Sequence, residues 1–156
     1  PRHFTFHPNG KFGYLVNELS GKIDAYNYNN GALDFIQDYA TYQQKQDIYR
    51  TADIHLSPDG QFLYASNRGP EEDTIVVFSV DKNTGKLSLL EHVNTGGEHP
   101  RNFGIDPSGK FVLVANMYTN NIVVYKRDLA TGKLTKIPEE IKVNNPSSIQ
   151  MKKYKN

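Results

Sequence analysis

Short runs of residues along the chain alternate between apolar and polar side chains, which is the period-two pattern of β-strands. In the first run, Phe4 and Phe6 fall on one face and Thr5 and His7 on the other. No run shows the 3.6-residue spacing of an amphipathic helix. Residues 40–49 are the one ambiguous stretch, because they fit either a polar loop or a single helical turn. The pattern predicts an all-β protein.

The same module occurs three times with a period of about 50 residues. Each module has a first strand, a tight turn, a second strand that ends in Asn, a third strand, a polar loop with Gly, and a fourth strand. Proline presets φ in the turn, and glycine takes the positive φ. The repeated turns are Pro8-Asn9-Gly10, Pro58-Asp59-Gly60 and Pro107-Ser108-Gly109, and the repeated strand ends are Asn17, Asn67 and Asn116.

Four short antiparallel strands per module are typical of a β-propeller blade. We therefore expect about three four-stranded blades, at residues 1–49, 50–99 and 100–143, with 144–156 starting a closing blade. Three blades do not close a ring, so the chain is expected to be part of a larger propeller. Its open blade faces would allow self-association.

The amino-acid composition limits the kinds of partner and cellular location that we expect. Lys plus Arg total 18 and Asp plus Glu 17, so the net charge of +1 favours neither nucleic acid nor a membrane surface as a partner. No apolar stretch is long enough to span a bilayer as a helix. The absence of cysteine excludes a cysteine nucleophile and fits a reducing compartment, so a cytoplasmic location is expected. The chain starts at Pro1 without Met, so we expect an upstream part that could carry a targeting signal.

Several strings within the repeat resemble one family. They are Pro1-Arg2-His3-Phe4, Val16-Asn17-Glu18-Leu19, Ala52-Asp53-Ile54-His55, Tyr64-Ala65-Ser66-Asn67-Arg68 and His99-Pro100-Arg101-Asn102-Phe103. They are similar to the lactonase-type seven-bladed β-propellers, which include propeller 6-phosphogluconolactonases and 3-carboxy-cis,cis-muconate cyclases. The resemblance extends to about Met151 and implies the C-terminal part of such a ring.

The resemblance implies catalytic roles for Arg2, Glu18 and Arg68. Arg2 leads into a first strand and Glu18 follows the antiparallel second strand, so both are expected at the same end of the blade. Arg68 occupies the position of Glu18 one module later. We expect all three to surround one mouth of the central channel. The alternative for these residues is a salt-bridge network at the rim of the propeller.

Lactone hydrolysis explains why these residue types would be used. Arginine forks bind phosphate and stabilise the charge that develops on a carbonyl oxygen. A carboxylate such as Glu18 would activate water, although neighbouring arginines lower its pKa and weaken it as a base. The resemblance implies no cofactor.

Further residues are candidates for substrate binding. His55 and Asp53 share a strand face that is expected to point at the channel, and His3 lies on the equivalent strand one module earlier. The alternative is that these histidines bond a neighbouring blade. Arg50 and Arg101 are expected to precede first strands, as Arg2 does, and to suit either a phosphate or a blade-to-blade bond. His99 is expected to be solvated, and the histidine spacings predict no metal site.

Three functions are compatible with these observations. The first is hydrolysis of a sugar-phosphate lactone, with a small-molecule lactone as the partner. The second is 3-carboxy-cis,cis-muconate cycloisomerisation at the same mouth. The third is a non-catalytic propeller that binds a protein on its loop face.

Overall fold

The chain folds into three four-stranded antiparallel sheets, each a meander of consecutive strands. A computed structural model of the chain describes residues 1–154. The first blade contains β1 (His3–Phe6), β2 (Phe12–Asn17), β3 (Lys22–Asn29) and β4 (Ala32–Ala40). The second contains β5 (Thr51–Leu56), β6 (Phe62–Asn67), β7 (Thr74–Val80) and β8 (Leu87–Asn94). The third contains β9 (Pro100–Ile105), β10 (Phe111–Asn116), β11 (Asn121–Arg127) and β12 (Leu134–Lys142).

These sheets confirm the prediction of an all-β, partial β-propeller. The second strands end at Asn17, Asn67 and Asn116, where the repeat predicts. The turn glycines Gly10 and Gly60 adopt φ values of 71° and 72°. Residues 1–154 contain no helix that is long and apolar enough to cross a membrane.

Two stretches lie outside the blade strands, and for both the structure can be compared with the secondary structure expected from the sequence. Residues 41–50 form an irregular loop rather than a helical turn, and Thr41 and Tyr42 are buried in it. Residues 143–154 contain no strand, although the Ile149 N–H donates to Asn102 Oδ1 over 2.6 Å. The assignment of 144–156 to a closing blade stays a prediction, and Lys155 and Asn156 lie outside the described residues.

The hydrophobic core lies between blades rather than inside any one of them. Strand β6 shows why, because alternate side chains leave a strand on opposite faces. Leu63 and Ala65 pack against the first blade, whereas Phe62 and Tyr64 pack against the third. Both faces of the middle blade are therefore buried, and the first strands β1, β5 and β9 come to lie side by side.

A repeated polar contact fixes each blade to the next. The Tyr14 hydroxyl donates to the Gly85 carbonyl over 3.0 Å, and the Tyr64 hydroxyl donates to the Gly132 carbonyl over 2.7 Å. Burial is the main cause that raises the pKa of Tyr64 to about 12, so the hydroxyl stays protonated. Each tyrosine thus reaches the loop between the third and fourth strands of the following blade.

We predict that Gly85→Ala destabilises the protein more than Gly10→Ala. Both glycines have a positive φ, 69° at Gly85 and 71° at Gly10. A Cβ at Gly85 would lie 2.5 Å from Phe12 Cδ1, whereas a Cβ at Gly10 meets nothing within 4 Å. Backbone strain should cost about 1–2 kcal/mol in both variants. Overpacking should cost a further ~1–3 kcal/mol at Gly85 alone.

The free energy of unfolding of both variants, measured by urea denaturation, distinguishes the cost of backbone strain from the cost of overpacking. Equal losses in the two variants would show that contact between the blades at Gly85 contributes nothing.

Candidate functional site

Arg2, Glu18 and Arg68 meet at one end of the first two blades. Arg2 precedes β1 and Glu18 follows β2, and the two strands pair antiparallel with His3 opposite Val16. The Arg2 guanidinium donates through Nη1 to Glu18 Oε2 over 2.9 Å. Arg68 donates through Nη2 to the other oxygen, Oε1. The geometry thus brings together the three residues expected at a common mouth, while their catalytic roles stay a prediction.

Each arginine of this cluster is also held by the backbone near the start of β5. Arg2 Nε donates to the Ala52 carbonyl over 2.9 Å, and Arg68 Nε donates to the Arg50 carbonyl over 3.1 Å. The Arg68 side chain is only 4% exposed, whereas that of Glu18 is 32% exposed. The guanidinium groups are therefore fixed across the junction between blades.

The charge state of Glu18 follows from its two partners. Partial burial alone would raise the pKa of Glu18, but hydrogen bonds and charge from Arg2 and Arg68 outweigh it and hold the pKa below its ordinary value. Glu18 is therefore a carboxylate at neutral pH, with one guanidinium on each oxygen. Such a carboxylate accepts a proton from water poorly.

His99 completes the surroundings of Arg68, although the sequence predicted a solvated side chain. The Arg68 guanidinium donates through Nη1 to His99 Nε2 over 3.0 Å. The imidazole stacks on Tyr118 with ring centroids 4.1 Å apart. Its backbone has a φ of 60° and its N–H donates to Asp73 Oδ1 over 2.9 Å. His99 is thus half-buried rather than fully solvated, and its contact with Arg68 spans 31 positions, from the loop between β8 and β9 back to the end of β6, so no local pattern indicates it.

Burial lowers the pKa of His99 to about 4, and the charges of Arg68, Arg101, Arg50 and Arg2 add to the effect. A guanidinium can only donate a hydrogen bond, so Nε2 of His99 must present a lone pair. The imidazole is thus neutral at physiological pH and serves as an acceptor for Arg68.

A cavity of about 360 Å³ lies beside Arg68, and Arg50, Glu98 and Tyr118 contribute to its wall. Arg50 and Arg101 are exposed, and neither guanidinium makes a hydrogen bond to residues 1–154. Arg101 is the second residue of β9 and does not precede that strand, which corrects the sequence-based placement. The cavity wall therefore combines fixed and open positive charge, as an anionic ligand requires.

A second cluster forms around Asp53, whose side chain is 4% exposed. Asp53 Oδ1 accepts from His3 Nδ1 over 2.7 Å, and Oδ2 accepts from His55 Nε2 over 3.0 Å. Asn102 Nδ2 also donates to Oδ2, as does the Phe103 N–H over 3.3 Å. Asp53 thus bonds both histidines that the sequence placed with it, and it joins side chains from three blades.

Burial alone would raise the pKa of Asp53, but hydrogen bonds and charge from its histidine partners hold the pKa below its ordinary value. Among residues 1–154, no group of three or more side chains is arranged to hold a metal ion.

A family model for seven-bladed β-propeller lactonases matches residues 1–151. The chain belongs to this lactonase family. The resemblance inferred from the sequence is thereby confirmed.

Two relatives of this lactonase-family chain are named 6-phosphogluconolactonase. It is 63% identical over 154 residues to a 6-phosphogluconolactonase of Formosa agariphila, covering 99% of this chain and 44% of that protein. It is 37% identical to a Bacillus subtilis 6-phosphogluconolactonase, covering 96% of this chain and 43% of that protein. The chain thus spans less than half the length of these relatives.

A solved structure of the Pseudomonas aeruginosa periplasmic gluconolactonase superposes with a TM-score of 0.89 at 35% identity, covering 96% of this chain and 42% of that one. A solved Bacteroides uniformis protein superposes with a TM-score of 0.90 at 47% identity, covering 96% of this chain and 43% of that one.

Sequence reasoning missed several partners of the predicted site residues in this lactonase-family chain. His99 and Asn102 lie in a string that resembles the family, yet no local pattern shows that they bond residues 31 and 49 positions away. The repeat itself holds one usable signal, since Asp53 and Asn102 occupy equivalent positions, five residues before the turn prolines Pro58 and Pro107.

We predict that His99→Asn makes the stability of the protein less sensitive to acid. The unfolded chain protonates His99 near the ordinary pKa of 6.5 and the folded chain near 4. The unfolded state therefore binds more protons between these values, and stability is lost as the pH falls through this window. Asparagine tolerates a positive φ and does not titrate.

The urea midpoint, measured at several pH values between 7 and 4, should fall less steeply in His99→Asn than in the parent protein. Parallel curves would contradict a neutral, buried role for this imidazole.

Proposed function

We propose that the protein hydrolyses a sugar-phosphate lactone of the 6-phosphogluconolactone type. The observation that carries the proposal is the pair of guanidinium groups of Arg2 and Arg68, both fixed by Glu18, with Arg68 also in the wall of a cavity. The names of the Formosa agariphila and Bacillus subtilis relatives support the same reaction. The partner is then a small-molecule lactone, and no cofactor is required.

The arginines suit the two anionic features of this reaction. Water attack places negative charge on the lactone carbonyl oxygen, and donors that are already fixed stabilise that charge without reorganisation. Arg2 and Arg68 are held in this way by backbone carbonyls and by Glu18. The open guanidinium groups of Arg50 and Arg101 suit the phosphate, which prefers forked donors.

Glu18 takes a different part from the water-activating role assigned from the sequence. Because each of its oxygens already accepts from an arginine, protonation would weaken both contacts. We assign Glu18 to hold the two guanidinium groups, which would otherwise repel each other. Cytoplasmic location and pairing through open blade faces remain predictions, and one relative is a periplasmic enzyme.

We predict that Arg68→Ala in the full-length protein lowers kcat/KM for 6-phosphogluconolactone by ~10²–10³-fold, because a preorganised donor is lost. Glu18→Gln should cost a comparable factor, since one of the two accepting oxygens becomes an NH2 donor that faces a guanidinium and the negative charge is lost. The measurement is the initial rate of lactone hydrolysis, corrected for the spontaneous reaction.

Arg127→Ala is a matched control. Arg127 is also buried, but it bonds the Tyr64 hydroxyl and the Gly109 carbonyl instead of Glu18. Its loss should reduce stability and leave the rate per folded molecule near that of the parent. Turnover retained by both Arg68→Ala and Glu18→Gln would remove the cluster from the mechanism. A parent protein that cyclises 3-carboxy-cis,cis-muconate, or that turns over neither substrate, would contradict the proposal.

A further inference from the structure

Comparison of Asp53 with Asn102, its equivalent one repeat later, shows which contacts of Asp53 serve the fold and which are particular to its carboxylate. Asp53 Oδ2 accepts the Phe103 N–H of the next blade, and Asn102 Oδ1 accepts the Ile149 N–H in the same way. An amide oxygen is thus sufficient for this contact between successive repeats. Asp53 also accepts from Asn102 Nδ2 and from the Ile54 N–H, donors that an amide oxygen could serve equally well. The partners that distinguish a carboxylate at position 53 are therefore the imidazoles of His3 and His55, one on each oxygen.

The carboxylate fixes which nitrogen of each imidazole carries the proton. An ionised Asp only accepts hydrogen bonds, so His3 Nδ1 and His55 Nε2 must both carry hydrogen. The lone pair of a neutral ring then lies on the opposite nitrogen, which is Nε2 in His3 and Nδ1 in His55. This follows from the contacts at 2.7 Å and 3.0 Å and from the near-complete burial of Asp53.

The two imidazoles differ in what they can reach. The two side chains are similarly exposed, 45% for His3 and 42% for His55, so the difference lies in the position of the lone pair. In His3 the basic nitrogen is the one farthest from the backbone. In His55 the basic nitrogen lies next to its own Cβ, and the ring packs edge-on against Phe103 with centroids 4.8 Å apart. Only His3 therefore presents a lone pair at the tip of its side chain.

His3 also adjoins the arginine cluster on both strands that hold it. It follows Arg2 in the chain, and the carbonyl that binds Arg2 belongs to Ala52, the residue before Asp53. Although neighbouring side chains usually leave a strand on opposite faces, both of these reach β5, Arg2 at the Ala52 carbonyl and His3 at the Asp53 carboxylate. One residue of a strand spans about 3.3 Å, so the two points of contact are one residue apart. A lactone carbonyl at Arg2 would thus lie close to His3.

We propose that His3 is the general base that activates water in this lactone hydrolysis, and that Asp53 is the residue that positions it. The assignment rests on the proposed lactonase function. Asp53 sets the tautomer and orientation of the ring, while His55 donates to the second oxygen and keeps the carboxylate in place.

The reaction balances with these groups alone. His3 Nε2 takes one proton from water while the water oxygen bonds to the lactone carbonyl carbon, and the carbonyl electron pair moves to the oxygen that faces the arginines. When the pair returns, the bond between the carbonyl carbon and the ring oxygen breaks. The proton on Nε2 passes to that ring oxygen, which leaves as a hydroxyl. One water is consumed, and the acid product loses its own proton to solvent.

The charged groups near His3 bear on the pH dependence. They are Asp53 and Arg50 around β5, Arg2 before β1, Glu18 after β2, and Arg101 on β9. His55 is the other titratable imidazole beside Asp53. The carboxylate of Asp53 accepts from His3 Nδ1, so its replacement by an amide should disturb the tautomer that keeps the lone pair on Nε2.

The test is the pH profile of kcat in the full-length protein with 6-phosphogluconolactone. His3→Gln should lose ~10²–10⁴-fold in kcat with little change in KM, and its acid limb should disappear. Asp53→Asn should keep the contact between repeats, as Asn102 does, but lower kcat with little change in KM, because the amide no longer fixes the proton of His3 on Nδ1. Glu18→Gln and His55→Gln should keep the limb, whatever their rates. His92→Gln is the matched control, because His92 bonds the Thr41 carbonyl away from this cluster and should behave as the parent.

The tautomer of His3 can be measured in the parent protein itself, so this test does not depend on whether the variants fold. Ring ¹⁵N shifts of the parent protein should place the proton of neutral His3 on Nδ1. A proton on Nε2, a limb that persists in His3→Gln at a rate within threefold of the parent, or a limb lost only in Glu18→Gln would overturn the assignment. In each case parental turnover of the lactone leaves the proposed function standing. If the parent turns over no lactone, both fall together.

Discussion

Burial of both faces of each inner sheet against its neighbours is the constraint on which the rest of this molecule depends. An isolated four-stranded meander exposes two apolar faces and cannot be stable alone. Strand β6 resolves this for the middle blade by sending Leu63 and Phe62 to opposite neighbours. Tyr14 and Tyr64 then add a hydrogen bond from each blade to a loop of the next. Stacking therefore fixes the distance and angle between consecutive inner strands, which a single blade could not do.

The candidate site is a product of that stacking. Arg2 reaches from the first blade to a carbonyl of the second, and Arg68 is bonded by His99 from the loop that leads into the third. Asp53 collects donors from all three blades. A shift of one blade against another would separate these partners before it exposed much of the core. Packing between blades and geometry at the mouth are thus one property of the fold.

Sequence periodicity predicted the fold correctly because each blade forms from a continuous stretch of the chain. Alternating side chains and repeated turns lie within about 50 residues, and they predicted the ends of the second strands at Asn17 and Asn67. Hairpin geometry also brought Arg2 and Glu18 to one end, since their strands are adjacent in the chain. The resemblance, rather than the pattern, singled out these two residues. The pairing of Arg68 with His99 and of Asp53 with Asn102 escaped prediction, because side-chain contacts between residues 31 and 49 positions apart leave no mark on local alternation.

The mouth contains two carboxylates whose pKa values are both held below the ordinary range, yet their surroundings give them different chemistry. Glu18 lies between guanidinium groups, which do not give up a proton near neutral pH, so its charge serves to order fixed cations. Asp53 lies between imidazoles that each donate a ring N–H to it, so its charge sets which nitrogen of each ring carries the proton. The sequence alone favoured Glu18 as the base because it supplied an acidic residue in a family string. Under the proposed lactone hydrolysis, proton transfer falls to the histidine side of the mouth and electrostatic stabilisation to the arginine side, which suits a reaction whose base and oxyanion donors act on different atoms.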